Sequence, residues 1–300
     1  MTGHPSQGPE VYFPKGQPGL DPRVPGGDRR SRILGGGAGR NTWIAVVSTV
    51  VFFTIAAVLI VNSPGWPTVR FFFFDGAEFA EAFPQILARF WRNIFIFCTA
   101  EALVLVVALL VAVLRSLPGP VFAPLRLLAA GYTDLFRGVP TILVILLLGY
   151  GMPALELHGL PQSDVLWAIV ALTLVYSAYV AEVYRAGIES IHPSQVAAAR
   201  SLGLTRLQSL RYVVLPQAVR RVIPPLLNDF IGLQKDSALV AVLGYTEALL
   251  RAQIISANDF NFTPYVALAV IYVAITIPQA RFVDWLIARE RRKREGGTQL

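Results

Sequence analysis

A chain of 300 residues that is 54% hydrophobic and only 15% charged, with a mean hydropathy of +0.55, does not have the balance of a soluble domain, where about a quarter of residues are charged. Its net charge of +7 at pH 7 fits basic loops beside membrane spans better than nucleic acid, because aromatic residues are not interleaved with the basic ones as single-strand binding requires. A single cysteine, Cys98, excludes disulfides within the chain and reads as a small buried hydrophobe.

Residues 1–41 are rich in Gly and Pro, carry scattered basic residues, and have no apolar run able to form a core, so they read as a disordered cytoplasmic tail. The first hydrophobic run begins only near Trp43 and is long enough to span, which argues against a cleaved signal peptide. The stretch GGGAGR from Gly35 lacks the Lys-Ser/Thr pair and the preceding strand of a phosphate loop, so the chain shows no nucleotide-binding motif of its own.

Six spans follow, each long enough for a hydrocarbon core of about 30 Å at about 1.5 Å per residue. They are residues 42–61, 93–114 (with Glu101), about 127–150, 165–184 (ending at Glu182), about 216–243, and about 264–288. The fifth is expected to be broken at Pro224 and Pro225 and is polar at Asn228, Asp229, Gln234, Lys235 and Asp236. Between the first two, residues 62–92, with FFFF at Phe71 to Phe74, read as an external interfacial segment with Arg89 and Arg92 as anchors. With both termini inside, nearly every Lys and Arg falls in an inner segment, including the basic tail 289–300, which satisfies the positive-inside rule.

The longest inner loop contains HPSQVAAARSLGLTRLQSLRYVVLP, residues 192–216. Ser194 is the expected N-cap of a short alanine-rich helix, Gly203 suits the left-handed residue that closes it, and Thr205 with Gln208 forms a capping box for a second helix ending near VVLP. Such a helix pair, with arginines beside it, fits a groove in another protein. It serves equally well as an amphipathic element packed on its own bundle.

The family resemblance separates these readings. Ala198, Ala199, Gly203, Val213, Leu215 and Pro216 are similar in spacing to the cytoplasmic EAA loop of permease subunits of ATP-binding-cassette importers. YTDLFRGVPTILV from Tyr132, SAYVAEVYRAGIESI from Ser177, and the block from Leu215 to Gly244 also resemble that family, in its polar amino acid branch, so that the likeness covers about Arg92 to Arg289. The resemblance implies an all-α membrane protein with about six transmembrane helices: a type I importer core of five helices over residues 93–288, preceded by one extra helix. It further implies two permease subunits (alike or different), two copies of an ATP-binding subunit, an extracytoplasmic solute-binding protein, and a cytoplasmic-membrane location. The expected coupling contact is Gln195, Ala198, Ala199, Arg200, Leu202 and Gly203.

Two departures stand out. The family's Glu is Ala197 here, at the third helical position after Ser194, and its absence is expected to weaken the helix start by about 0.5–1 kcal/mol. Val175 and Tyr176 replace the Asn and Ser of many relatives. Intramembrane polar groups are pathway candidates because their burial in lipid is costly: Asn228, Asp229, Gln234, Lys235, Asp236 and Glu182. Glu101 reads as a bundle-internal hydrogen bond, and Tyr132, Asp134 and Arg137 as a helix start with an ion pair. A secondary transporter is the alternative, but it should show broken helices at matching positions in two related halves. His4, His158 and His192 are dispersed, so neither catalysis nor a metal or other cofactor is expected.

Overall fold

The computed structural model describes residues 38–296; most of the expected N-terminal tail, including the start of GGGAGR, lies outside the described residues. Among the described residues there are helices and no strands. The chain divides into residues 1–66 and 67–300.

The described part of the first unit is chiefly α1, Ala38–Val61, which starts a turn before the span expected at 42–61. Its Ser48 and Thr49 hydroxyls donate to the Ala45 carbonyl at 3.0 and 2.7 Å, so neither hydroxyl is left unpaired on an apolar helix.

The second unit begins at the second residue of α2, Trp66–Phe73, and continues with α3, Gly76–Ser116. Asp75 caps α3 by accepting from Ala77 N at 2.9 Å and Glu78 N at 3.2 Å. Within the segment 62–92, residues 76–92 are the opening turns of a 41-residue helix. Its Ala82, Ile86 and Phe90, at helical spacing, pack against Ala248, Ala252, Ile255, Ala267, Leu268 and Ile271. The Phe71 and Phe72 carbonyls accept from Asn261 Nδ2 (3.0 Å) and Phe262 N (2.7 Å), which ties the FFFF segment to a turn far along the chain. Cys98 is exposed on α3 rather than buried.

The span expected at 127–150 is two helices, α4 (Ala123–Gly138) and α5 (Thr141–Ala154), bent by 103°. Pro140 is the cause: it has no N–H to continue α4, and it holds Val139 extended at φ −98°, ψ 133°. Asp134 and Arg137 therefore end a helix rather than start one, and Arg137 stacks on Tyr179 at 5.8 Å.

Helix α6, Asp164–Glu189, is the centre of the larger core. Small residues allow the approach of its neighbours; a Cβ at Gly187 would collide with Val222 Cγ1. After α7 (Pro193–Ser201) and the single turn α8 (Arg206–Ser209), a π-helical turn over Leu210–Val214 leads directly into α9, Leu215–Asp236. The second loop helix therefore does not end at VVLP but continues into the next span. Pro224 and Pro225 do not break α9 either; the helix tightens only beyond Asp236, into a 3₁₀ stretch over Ser237–Leu243 closed by Gly244 at φ 80°. A 53° bend precedes α10, Ala248–Asp259. Helix α11, Thr263–Gly296, carries on through most of the expected basic tail. Among the described residues, four helices are long and apolar enough to cross a membrane, or up to six if each bent pair counts as one span.

Candidate functional site

The loop helix α7 is built by local chemistry at both ends. Its N-cap is His192, not Ser194: the imidazole Nδ1 accepts from Ser194 N at 3.2 Å, and Pro193 occupies the first helical position, where a missing N–H costs nothing. Gln195 is then the third helical residue and Ala197 the fifth. A glutamate at 197 would not have closed a capping box, so the loss expected there does not arise by that route. At the other end Gly203 has φ 87°, with Gly203 N bonded to Arg200 O (3.0 Å) and Leu204 N to Ala199 O (3.2 Å), a left-handed closure that glycine adopts without strain. Thr205 and Gln208 complete the expected capping box, at 2.8 and 3.2 Å.

This closure determines what the loop exposes. Ala199 is buried, whereas Gln195, Ala198 and Arg200 are exposed. Leu202 and Leu207, either side of the glycine turn, are 82% and 73% exposed. Two large apolar side chains projecting from an arginine-bearing turn make an apolar patch with a basic rim.

The blocks around Tyr132 and Ser177 meet between α4 and α6. Tyr132 Oη lies 2.5 Å from Ser177 Oγ and donates to the Leu174 carbonyl at 2.8 Å. Beside them, Glu182 pairs with Arg115 of α3 and with Arg185 at 2.7 Å, while Arg115 also donates to the buried Thr133 hydroxyl at 2.9 Å. Both carboxylate oxygens of Glu182 are thus engaged by arginines, joining α3, α4 and α6.

On α9 the polar residues separate by helical phase. Asn228 and Lys235, seven apart, are exposed; Asp229 and Asp236, also seven apart, lie partly buried. Tyr176 donates to Asp236 Oδ2 at 2.9 Å, and Gly232 leaves room for that hydroxyl, to which a Cβ would come within 3.2 Å. One of the two unusual residues of α6 thus supplies the Asp236 partner. Gln234 is only 6% exposed, and its amide oxygen has no hydrogen-bond partner. It lines a cavity of about 190 Å³ with Phe90, Asn93, Phe97, Ile275 and Gln279, and the Gln279 amide oxygen is likewise unpaired. The walls of this cavity are chiefly apolar, and both amide oxygens are shielded by the atoms around them.

A buried polar centre next to it is absent from the expected set. Glu247 is 0% exposed and caps α10, accepting from Leu249 N (2.8 Å), Leu250 N (2.9 Å) and Asn93 Nδ2 (2.6 Å). Asn93 Oδ1 in turn accepts from Ala248 N at 3.1 Å. Arg92, read above as an interfacial anchor, donates to the Thr246 carbonyl at 2.7 Å and lies over the Tyr245 ring. Glutamate is an uncommon N-cap, so residue preference alone does not single out Glu247.

Comparison with known proteins places this arrangement. Residues 119–292, more than half the chain, match the family described as binding-protein-dependent transport system inner membrane component. The chain belongs to that family. Similar relatives are the probable glutamine ABC transporter permease protein GlnM of Bacillus subtilis (34% identity, 69% of this chain and 94% of the relative) and the probable amino-acid ABC transporter permease protein PatM of Vibrio harveyi (34%, 62% and 82%). Among solved structures, an amino acid ABC transporter is similar at a TM-score of 0.66 and 30% identity, over 72% of this permease and 98% of that chain. The MetNI methionine ABC transporter, at 20% identity and a TM-score of 0.52, shares the fold. The permease is an all-α, multi-pass membrane protein with the type I importer architecture.

Proposed function

We propose that the permease forms the translocation pathway of an ATP-driven importer for polar amino acids and takes its drive from a separate ATP-binding subunit, which docks on α7 and the Gly203 turn. In this reading two permease subunits form the pathway, two ATP-binding subunits lie on the cytoplasmic side with both permease termini, and an extracytoplasmic solute-binding protein delivers the substrate. The observation that carries it is the exposure of Leu202 and Leu207 around a turn held by capping at both ends, an apolar patch that none of the described residues covers. The substrate class is supported by the names of similar relatives, which include glutamine and arginine permeases. Within the pathway set, Gln234, Asp229 and Asp236 face inward and Glu182 holds helices together.

Gly203 provides the test. A Cβ there meets nothing within 4 Å, so only backbone conformation opposes substitution. Gly203→Val, forced to a positive φ, is expected to disturb the turn by about 1–2 kcal/mol, reducing co-purification of the ATP-binding subunit and ATP-dependent uptake together. Gly203→Asn, which tolerates that conformation, should retain most of both. Unchanged co-purification and uptake in the valine variant would refute the docking assignment.

A further inference from the structure

The loop helix is fastened to α9 a second time, by side chains. Gln217, on the first turn of α9, donates Nε2 to Gln195 Oε1 at 2.6 Å and to the Val213 carbonyl at 2.9 Å. One turn further, the Arg221 guanidinium donates to the Ser190 carbonyl at the end of α6. Val222 packs into the space left by Gly187, and the Ala218 carbonyl lies 3.5 Å from where a Cβ on that glycine would be. Positions 217, 218, 221 and 222 form one helical face, and that face holds the segment from Gly187 to Gln195.

From these contacts we infer that Gln217 is a positioning residue for energy coupling: its bridge to Gln195 fixes α7 to α9, so that displacement of the loop moves the pathway helix instead of pivoting α7 about Gly203. This rests on the docking proposed above. The backbone route from α7 to α9 passes through the Gly203 turn, α8 and the π-helical turn, and the Gln195–Gln217 bridge closes it into a ring. Without the bridge, no side chain of α9 holds α7 beyond its first residues: the Arg221 tether ends at Ser190, and the backbone link onward runs through a glycine at φ 87°. Gln234 lies on the same helix as Gln217, seventeen positions on, or about 26 Å at the rise of an α-helix. A shift of the first turn is therefore delivered to the wall of the cavity.

The test uses the assembled transporter in proteoliposomes, with its ATP-binding subunits and solute-binding protein, reading uptake and ATP hydrolysis in the same sample. Gln217→Leu is expected to leave co-purification of the ATP-binding subunit intact and ATP turnover within about twofold, while substrate moved per ATP falls about fivefold, as for one lost hydrogen bond. An opposite-charge pair, Gln195→Glu with Gln217→Lys, should restore that ratio to within about twofold. A like-charge pair, Gln195→Lys with Gln217→Lys, should not. A native ratio in Gln217→Leu, or equal ratios in the two charge pairs, would overturn the role of the bridge while leaving docking intact. Failure of the unaltered chain to hold the ATP-binding subunit would instead remove the docking on which it rests.

Discussion

Glu247→Ala is expected to lower the stability of the permease by about 3 kcal/mol, seen as a fall of roughly 6–12 °C in its thermal unfolding midpoint in detergent. Three effects add. The cap of α10 is lost, which alone costs about 0.5–2 kcal/mol, and the Leu249 and Leu250 amides have no water to replace it at a site that is 0% exposed. The Asn93 amide loses its 2.6 Å acceptor inside the protein and keeps only a 3.4 Å contact to the Tyr272 hydroxyl, where an unsatisfied donor costs about 1–3 kcal/mol. The removed side chain also leaves a void between α3 and α10, helices that share the second core cluster. Glu247→Gln keeps an acceptor for α10 and should lose less than half as much. Equal midpoints for the alanine variant and the unaltered chain would show that this centre does not hold the helices.

The second large effect is expected at Glu182. Its carboxylate is clamped by Arg115 and Arg185, with the two closest side chains only 17% and 20% exposed. Removing it in Glu182→Ala leaves Arg115 without its counter-charge beside the buried Thr133. Breaking a fully buried pair costs about 3–5 kcal/mol; with this much exposure about 2 kcal/mol is expected. The diagnostic is the double variant Arg115→Met with Glu182→Leu, which removes both charges and should be more stable than either single change. Thermal unfolding of the four proteins measures the coupling, and purely additive losses would contradict a direct pair.

The class, the helical content and the local turns were legible in the sequence because each depends on near neighbours. Gly203 and the Thr205–Gln208 box require only four or five residues in order, and they occur as the pattern predicts. Failures came where a competing local preference or a longer-range contact prevailed. Pro193 shifted the α7 start because a proline fits the first helical position better than the residue before it. Pro140 divided one apolar run into two helices, whereas Pro224 and Pro225 sit within an unbroken α9, so proline alone did not announce which helix would break. The packing of residues 76–92 was not legible, because the partners that bury Ala82 and Ile86 lie more than 160 positions along the chain. Of the site, the loop was readable and the phase of α9 followed from spacing. Glu247 and Asn93 were not, since a buried acid and amide acquire meaning only when distant segments meet. Tyr176 was noticed as unusual, but its partner Asp236 required the fold.

Photocrosslinking from position 202 tests the central claim most directly. A photoreactive amino acid in place of Leu202, in membranes containing the whole transporter, is predicted to capture the ATP-binding subunit in high yield, with the same side chain at the exposed Val106, within the apolar run of α3, capturing none. Active uptake with no crosslink from position 202 to the ATP-binding subunit would contradict the account.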